Sequence, residues 1–529
     1  MSRCRFPFLA RRFLEMAAGI LCLIILPSTA SHVVAADRYF GVQVVDEATG
    51  RGVPLVELRT VNHLSWVTDS GGWAAIDEPG LAGRQVFFFV RSHGYEFPKD
   101  GFGYAGVRLE VQPGRTAVVK IRRINIAERL YRVTGEGIYR DSLMLGQPAP
   151  LAQPLGAGRV AGQDSAFAEL YRGKIFWFWG DTSRMSYPLG HFWMAAATSK
   201  LPDQGGLAPD QGVDLNYLVD DEGFSRPVAR LGVESGMIWA DGFLTLPDET
   251  GRERLVCHYA HMESLAKMIG HGLAVFDDER GEFEVLKVLD MDDRHLFPGQ
   301  AHAFRHRDNG QEYLYFGEVF PTVRVKADWQ HYTDPTTYEV FTCFDPADSS
   351  DDQRLLLDAD GRVDYQWRRG AKPVDGSVEQ ALIAAGRLPQ DQARFLPVCC
   401  ETGQAVLLHR GSVRWNDYRQ RWIAIATQHS GTSFLGEVWY AEAAQPTGPW
   451  LRATKIVTHD QYSFYNPVHH AFFDQDGGRE IYFEGTYTKM FSGREAATPR
   501  YEYNQIMYRL DLANPRLTST RPDVSFRFR

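Results

Sequence analysis

A chain of 529 residues with 44% hydrophobic and 23% charged residues can bury large cores and has room for more than one domain. Its formal net charge of −9 argues against nucleic acid as a partner, because phosphate binding needs a basic footprint that the composition lacks. Aromatic residues make up 13% of the chain, which suits both β-sheet cores and surfaces that stack on sugar rings.

Residues 1–36 read as an export signal. Arg3, Arg5, Arg11 and Arg12 form a basic start, Met16 to Leu26 an apolar run, and Val34-Ala35-Ala36 a small-residue cleavage site before Asp37. The apolar run is too short to span a bilayer comfortably, so the expectation is an exported protein, periplasmic or secreted, with no stable membrane span. Arg11-Arg12-Phe13-Leu14 faintly resembles a twin-arginine signal without its intervening residue. The segment carries four Arg and one Glu, so cleavage takes the net charge from −9 to −12. Cys257, Cys343, Cys399 and Cys400 then remain, either as up to two disulfides or as buried thiols.

Residues 37–125 read as one β-domain. Short alternating strands are broken by turn signals at Asp46-Glu47-Ala48-Thr49-Gly50, Asp69-Ser70-Gly71-Gly72 and Gln112-Pro113-Gly114, and about seven strands in this length fit an Ig-like sandwich. The order Val42 to Asp46, Thr49-Gly50, Val53-Pro54, then Thr68 to Gly72, resembles the carboxypeptidase-regulatory and transthyretin-like β-sandwiches. Such modules imply a spacer or docking role.

Residues 135–515 hold a degenerate repeat of five strand pairs, which predicts a five-bladed β-propeller and makes the whole chain all-β. The openings are Gly162 to Phe167, Trp239 to Phe243, Gly299 to Phe304, His409 to Val413 and Asn466 to Phe472. Their partners are Lys174 to Asp181, Leu255 to Tyr259, Tyr313 to Glu318, Trp422 to Ala426 and Glu480 to Gly485. The segment from about Val325 to Val398 is long enough to complete the third blade and to shape a pocket. The other arrangement compatible with these strands is a large irregular sandwich.

Superposing the openings places Asp164, Asp241, His302, Ser412 and His469 at similar points near a central funnel. The second strands end at Asp181, the Tyr259 to His261 region, Glu318, Gln428-His429 and Glu484. Glycoside hydrolysis needs one carboxylic acid to protonate the leaving oxygen and a second carboxylate to activate water or attack the sugar. Asp164, Asp241 and Glu318 supply carboxylates at intervals of 77 residues.

This order resembles the five-bladed propeller glycosidases of families 43, 32 and 62. That resemblance implies Asp164 as base, Asp241 as modulator of the acid's pKa and Glu318 as acid. Val438 to Glu442, followed by Gln445-Pro446-Thr447-Gly448-Pro449-Trp450, is similar to the outer-strand signature of such blades. The sequence departs from these families around Asp164, which lacks an Asp-Pro setting, and around Gly317-Glu318-Val319. Trp179-Gly180-Asp181-Thr182, 17 residues after Asp164, resembles the endo-D-arabinanase propellers of family 183, which implies Asp164 and Asp181 as the reacting pair.

Trp239, His302, Arg184, Arg410, His469 and Glu484 are the substrate-binding candidates. Arg324 and Arg414 join Arg184 and Arg410 as arginines near the rim that can clasp sulfate or uronate groups. Trp177, Trp179, Trp193 and Trp239 are either stacking platforms or core residues, and core burial is expected for at least two. His258 and His261 face apart on a continuous strand, against a zinc site with Cys257. No organic cofactor is required, and a structural calcium ion is compatible with the funnel. The leading expectation is an exported glycoside hydrolase. The alternative is a non-catalytic propeller that binds a glycan or a surface partner, and a sialidase is disfavoured because no Ser-x-Asp-x-Gly-x-Thr-Trp box occurs.

Overall fold

The computed structural model describes residues 35–520 except 349, 351 and 495. The expected export segment lies outside the described residues apart from its last two positions. Strands dominate; the α-helices among the described residues are Arg140–Met144, Trp329–Tyr332 and Gly376–Ala384. None of the described helices is long and apolar enough to cross a membrane.

Between Phe40 and Arg123, eight strands form two four-stranded sheets. Gln85–Arg91 shows why: Val86, Phe88 and Val90 alternate with more exposed neighbours, so one face of the strand is apolar. A single apolar cluster takes Val42, Val44 and Ile121 from one sheet and Leu58, Phe88 and Val90 from the other. The strand beyond the expected seven includes two-residue Tyr95–Glu96, too short to leave an alternating pattern.

From Glu128 onward the chain forms five further sheets of four or five strands and a small three-stranded one. The first large sheet is built on Phe167–Tyr171 and Lys174–Trp179, the second on Met237–Pro247 and Glu253–Ser264, and the third on Phe304–Asp308 and Gln311–Phe316. The fourth is built on Leu408–Asn416 and Arg421–Gln428, the fifth on Ser463–His469 and Glu480–Thr488. All five expected strand pairs are therefore present. Boundaries differ in three of them: Gly162 and Gln163 belong to the three-stranded sheet and the first paired strand starts at Phe167, the third opening strand starts at Phe304, and the fifth ends at His469. Val323–Lys326, Glu339–Thr342 and Gln366–Arg368 complete the third sheet from the long segment expected to do so.

In the fifth sheet, Asn504–Asp511 pairs antiparallel with Glu128–Arg132, so the beginning and end of this region are hydrogen-bonded in one sheet. Glu480–Thr488 is buried along almost its whole length, because both its faces are covered. The two regions also share buried contacts. Leu55 and Val67 join the cluster of Ile423, Phe464 and Tyr508. Tyr501 donates its hydroxyl to the Thr68 carbonyl at 2.7 Å, and Ser142 donates its backbone N–H to Asp69 at 2.6 Å.

The four cysteines that follow the export segment are all buried free thiols, as one of the two sequence readings expects.

Candidate active site

A backbone feature repeats at the mouth of each large sheet. Ser165, Gly242, Gln300, Arg410 and Asn466 all adopt left-handed backbone, with φ of 53°, 61°, 58°, 47° and 49°. Four of these residues are not glycine, so each costs about 1–3 kcal/mol and persists only where its surroundings hold it. In the second, fourth and fifth sheets a break in strand register spans or adjoins this residue. Three of the five meet: Asn466 donates Nδ2 to Ser165 Oγ at 2.7 Å and to Gln300 Oε1 at 3.2 Å. The residues immediately before them therefore share one structural position.

Those preceding residues are Asp164, Asp241, Gly299, His409 and Tyr465. The sequence superposition set His302, Ser412 and His469 level with Asp164; in the structure they lie three or four positions further along than Gly299, His409 and Tyr465. Strand alternation could not reveal the offset, because the left-handed residue and its register break interrupt the period of two. A residue tolerant of that conformation in each opening segment (Ser, Gly, Gln, Arg, Asn) is too varied a signal to read from sequence.

Asp164 and Asp181 come together at the first sheet. Asp164 Oδ1 accepts the Asp181 backbone N–H at 3.0 Å, and its Oδ2 accepts the Tyr465 hydroxyl at 2.9 Å. Tyr503 donates a further hydrogen bond to it. Gly180 permits the approach, since a Cβ there would stand 2.4 Å from Asp164 Oδ1. Burial raises the Asp164 carboxyl above its usual range, against the pull of the two tyrosines, the Asp181 N–H and the Arg410 charge. Asp181 is pushed up to about 7, first by burial and then by the Asp164 charge, while a hydrogen bond from Trp239 opposes the shift. Asp181 Oδ1 is buried with no hydrogen-bond partner.

Glu318 stands on the wall of a neighbouring cavity of about 610 Å³, between the third and fourth sheets. Burial raises its carboxyl, Arg410 opposes this, and Asp375 and Asp241 add to it. Arg410 thus acts electrostatically on both Asp164 and Glu318. Asp375 sits where the long third-sheet segment was expected to shape a pocket; it caps the helix Gly376–Ala384 by accepting the Val378 N–H at 2.8 Å.

The remaining candidates separate from this group. Asp241 is buried, with Oδ2 accepting the Gln300 N–H at 2.8 Å and Oδ1 3.4 Å from His258 Nδ1. Glu484 is fully buried and pairs with His470 at 2.8 Å, and His469 pairs with Asp474 at 2.7 Å. His302 packs against Phe167 at 5.0 Å, and burial holds its imidazole well below the usual range. Arg184 donates to the Leu189 carbonyl and lies over Phe224. Arg324 is paired with Asp308 and Glu339, and Arg414 donates to the His302 carbonyl.

Trp177 and Trp179 are core residues, Trp193 packs under Arg230, and Trp239 alone of the four touches the acid pair. His258 turns to Asp241 and His271 while His261 reaches the Ser235 carbonyl, so the two do face apart. Among the described residues no group of three His, Cys, Asp or Glu side chains is arranged to hold a metal. Sequence reasoning missed Tyr465, Tyr503, Gly180 and Asp375.

No protein-family model matches the chain, and no curated protein matches it. Among solved structures, the exo-beta-1,3-galactanase of Phanerochaete chrysosporium, with galactose, is similar at 11% identity and TM-score 0.35, over 73% of this chain and 65% of that one. The endo-arabinase of Bacteroides thetaiotaomicron is similar at 10% identity and TM-score 0.31, over 68% of this chain and 97% of that one. An N-acetylgalactosamine deacetylase from F. plautii, in complex with blood group B trisaccharide, is similar at 11% identity and TM-score 0.35, over 73% and 95%.

Proposed function

We propose that the chain is an exported glycoside hydrolase, with residues 37–125 as a β-sandwich, residues 135–515 as a five-bladed propeller, and Asp164 and Asp181 as its reacting carboxyls. The observation that carries the reading is the acid pair itself: two half-buried carboxyls at the inner end of the first large sheet, the charge of Asp164 raising the cost of ionising Asp181. The propeller reading is supported by three left-handed residues from different sheets meeting, and by the last sheet taking its final strand from the region's start.

The pair divides its labour by hydrogen bonding. Asp164 accepts bonds from Tyr465, Tyr503 and the Asp181 N–H, all of which favour its charged form, whereas Asp181 Oδ1 accepts none. The shared negative charge therefore rests on Asp164 and the proton on Asp181. Asp181 gives that proton to the glycosidic oxygen as the bond to the anomeric carbon breaks. Water then completes the anomeric carbon, and its proton passes to a carboxylate. Trp239, hydrogen-bonded to Asp181 and half-buried, is placed to meet the sugar beside the broken bond.

A second reading keeps Asp164 as base with Glu318 as acid. It is favoured by one observation, that Glu318 lines the 610 Å³ cavity. The test is reducing-sugar release by the mature protein across a panel of plant, algal and microbial polysaccharides. Turnover of one polymer, lost in Asp164→Asn with the fold retained, is the expected result. A variant that turns over normally overturns both readings.

A further inference from the structure

The cavity beside Glu318 has a charge pattern that bond cleavage does not call for. Its wall holds two guanidinium groups, Arg294 and Arg410, and the imidazoles of His295, His409 and His429. Among the described residues neither guanidinium is ion-paired, although most arginines elsewhere in the fold that approach a carboxylate are engaged by it. The Nε of Arg410 is buried without a hydrogen-bond partner. Leaving a buried charged donor unsatisfied is costly, and a left-handed backbone at the same residue adds to that cost.

The acids of this wall, Glu318 and Asp375, match the two guanidinium groups in number but form no ion pair with either. Asp375 is committed to the helix cap, and Glu318 stands close to Arg410 without pairing with it.

We infer that this cavity binds an anionic substituent of the glycan, a uronate carboxylate or an ester sulfate, with Arg410 at its floor and Arg294 at its rim. A planar guanidinium makes paired, charge-assisted bonds to either group. The inference deepens the hydrolase reading and rests on it for the word glycan. It also gives the site a coupling: an anion on Arg410 cancels the charge that favours ionised Glu318 and Asp164, so an acidic substrate makes both carboxyls easier to protonate on arrival.

Binding is read without turnover, in the mature chain carrying Asp164→Asn, by affinity electrophoresis through gels containing polygalacturonate, a sulfated galactan or unsubstituted galactan. Retardation by one of the two acidic polymers and not by galactan is expected, and which of them retards the protein distinguishes carboxylate from sulfate. Arg294→Ala, an exposed change, should weaken that binding about tenfold and Arg410→Gln by more, while Arg59→Ala, outside the cavity, should leave it unchanged. Equal retardation by galactan, no retardation by either acidic polymer, or unchanged binding in both Arg294→Ala and Arg410→Gln overturns the inference. Binding that follows the arginines in a protein that releases no sugar from any polymer leaves the anion site standing and removes the hydrolase.

Discussion

The first sheet half-buries a carboxylate and the fifth buries one fully, and the two stand against opposite neighbours. Glu484 sets Oε1 against His470, a base, at 2.8 Å, while its Oε2 is buried without a partner. Asp181 likewise leaves an oxygen unsatisfied but faces another acid, so burial and the Asp164 charge drive it up to about 7. Asp241, held by the Gln300 N–H and His258, belongs with Glu484. A buried acid matched with a base rigidifies its sheet, whereas a buried acid matched with an acid is costly to keep and useful for moving protons.

That contrast is open to direct attack. Asp181→Asn should lower kcat/KM by about 10²–10⁴ and remove the alkaline limb of the pH–rate profile, which in the parent falls as pH rises through about 7. Survival of that limb in the variant would assign it to another group. Gly180→Ala places a Cβ 2.4 Å from Asp164 Oδ1 and should cost about a hundredfold in kcat/KM with a smaller change in melting temperature.

The fifth sheet should respond in the reverse sense. Glu484→Ala leaves His470 buried without its partner, so denaturant unfolding should show a loss of about 3 kcal/mol while kcat/KM of the folded fraction holds. A catalytic collapse larger than the stability loss would move Glu484 into the reacting group. The smallest effect lies at the contact between the two regions of the chain. Burial pushes Asp69 up to about 6, above its unfolded value. Its contribution is therefore fully present below about pH 4 and lost as pH rises through about 6, and Asp69→Asn should flatten stability over that window.

The sequence shows the five strand pairs because apolar runs such as Lys174–Trp179 and Glu480–Thr488 are long enough to be read by composition. It shows Asp164 and Asp181 because both flank such runs. It does not show which residues stand level with Asp164, since the left-handed residues that set the register are Ser, Gly, Gln, Arg and Asn, with no common side chain. Tyr465 and Tyr503 reach Asp164 from the far end of the chain, and Tyr465 does so across 301 residues, a contact between sheets that local patterning does not show. Pro298, Gly299 and left-handed Gln300 end the regular pattern before Phe304, which is why the third opening starts later than its apolar residues suggest.

The account stands or falls on whether Asp164 and Asp181 act as one unit. The measurement is kcat/KM for Asp164→Asn, Asp181→Asn, the double variant and Glu318→Gln on a polymer that the parent hydrolyses. Groups that act together lose almost everything at the first substitution, so the double variant should be no slower than the worse single one, and Glu318→Gln should retain far more activity than either. Additive losses in the double variant, or a Glu318→Gln as inactive as Asp164→Asn beside an active Asp181→Asn, would contradict the pairing and move the acid to the third sheet.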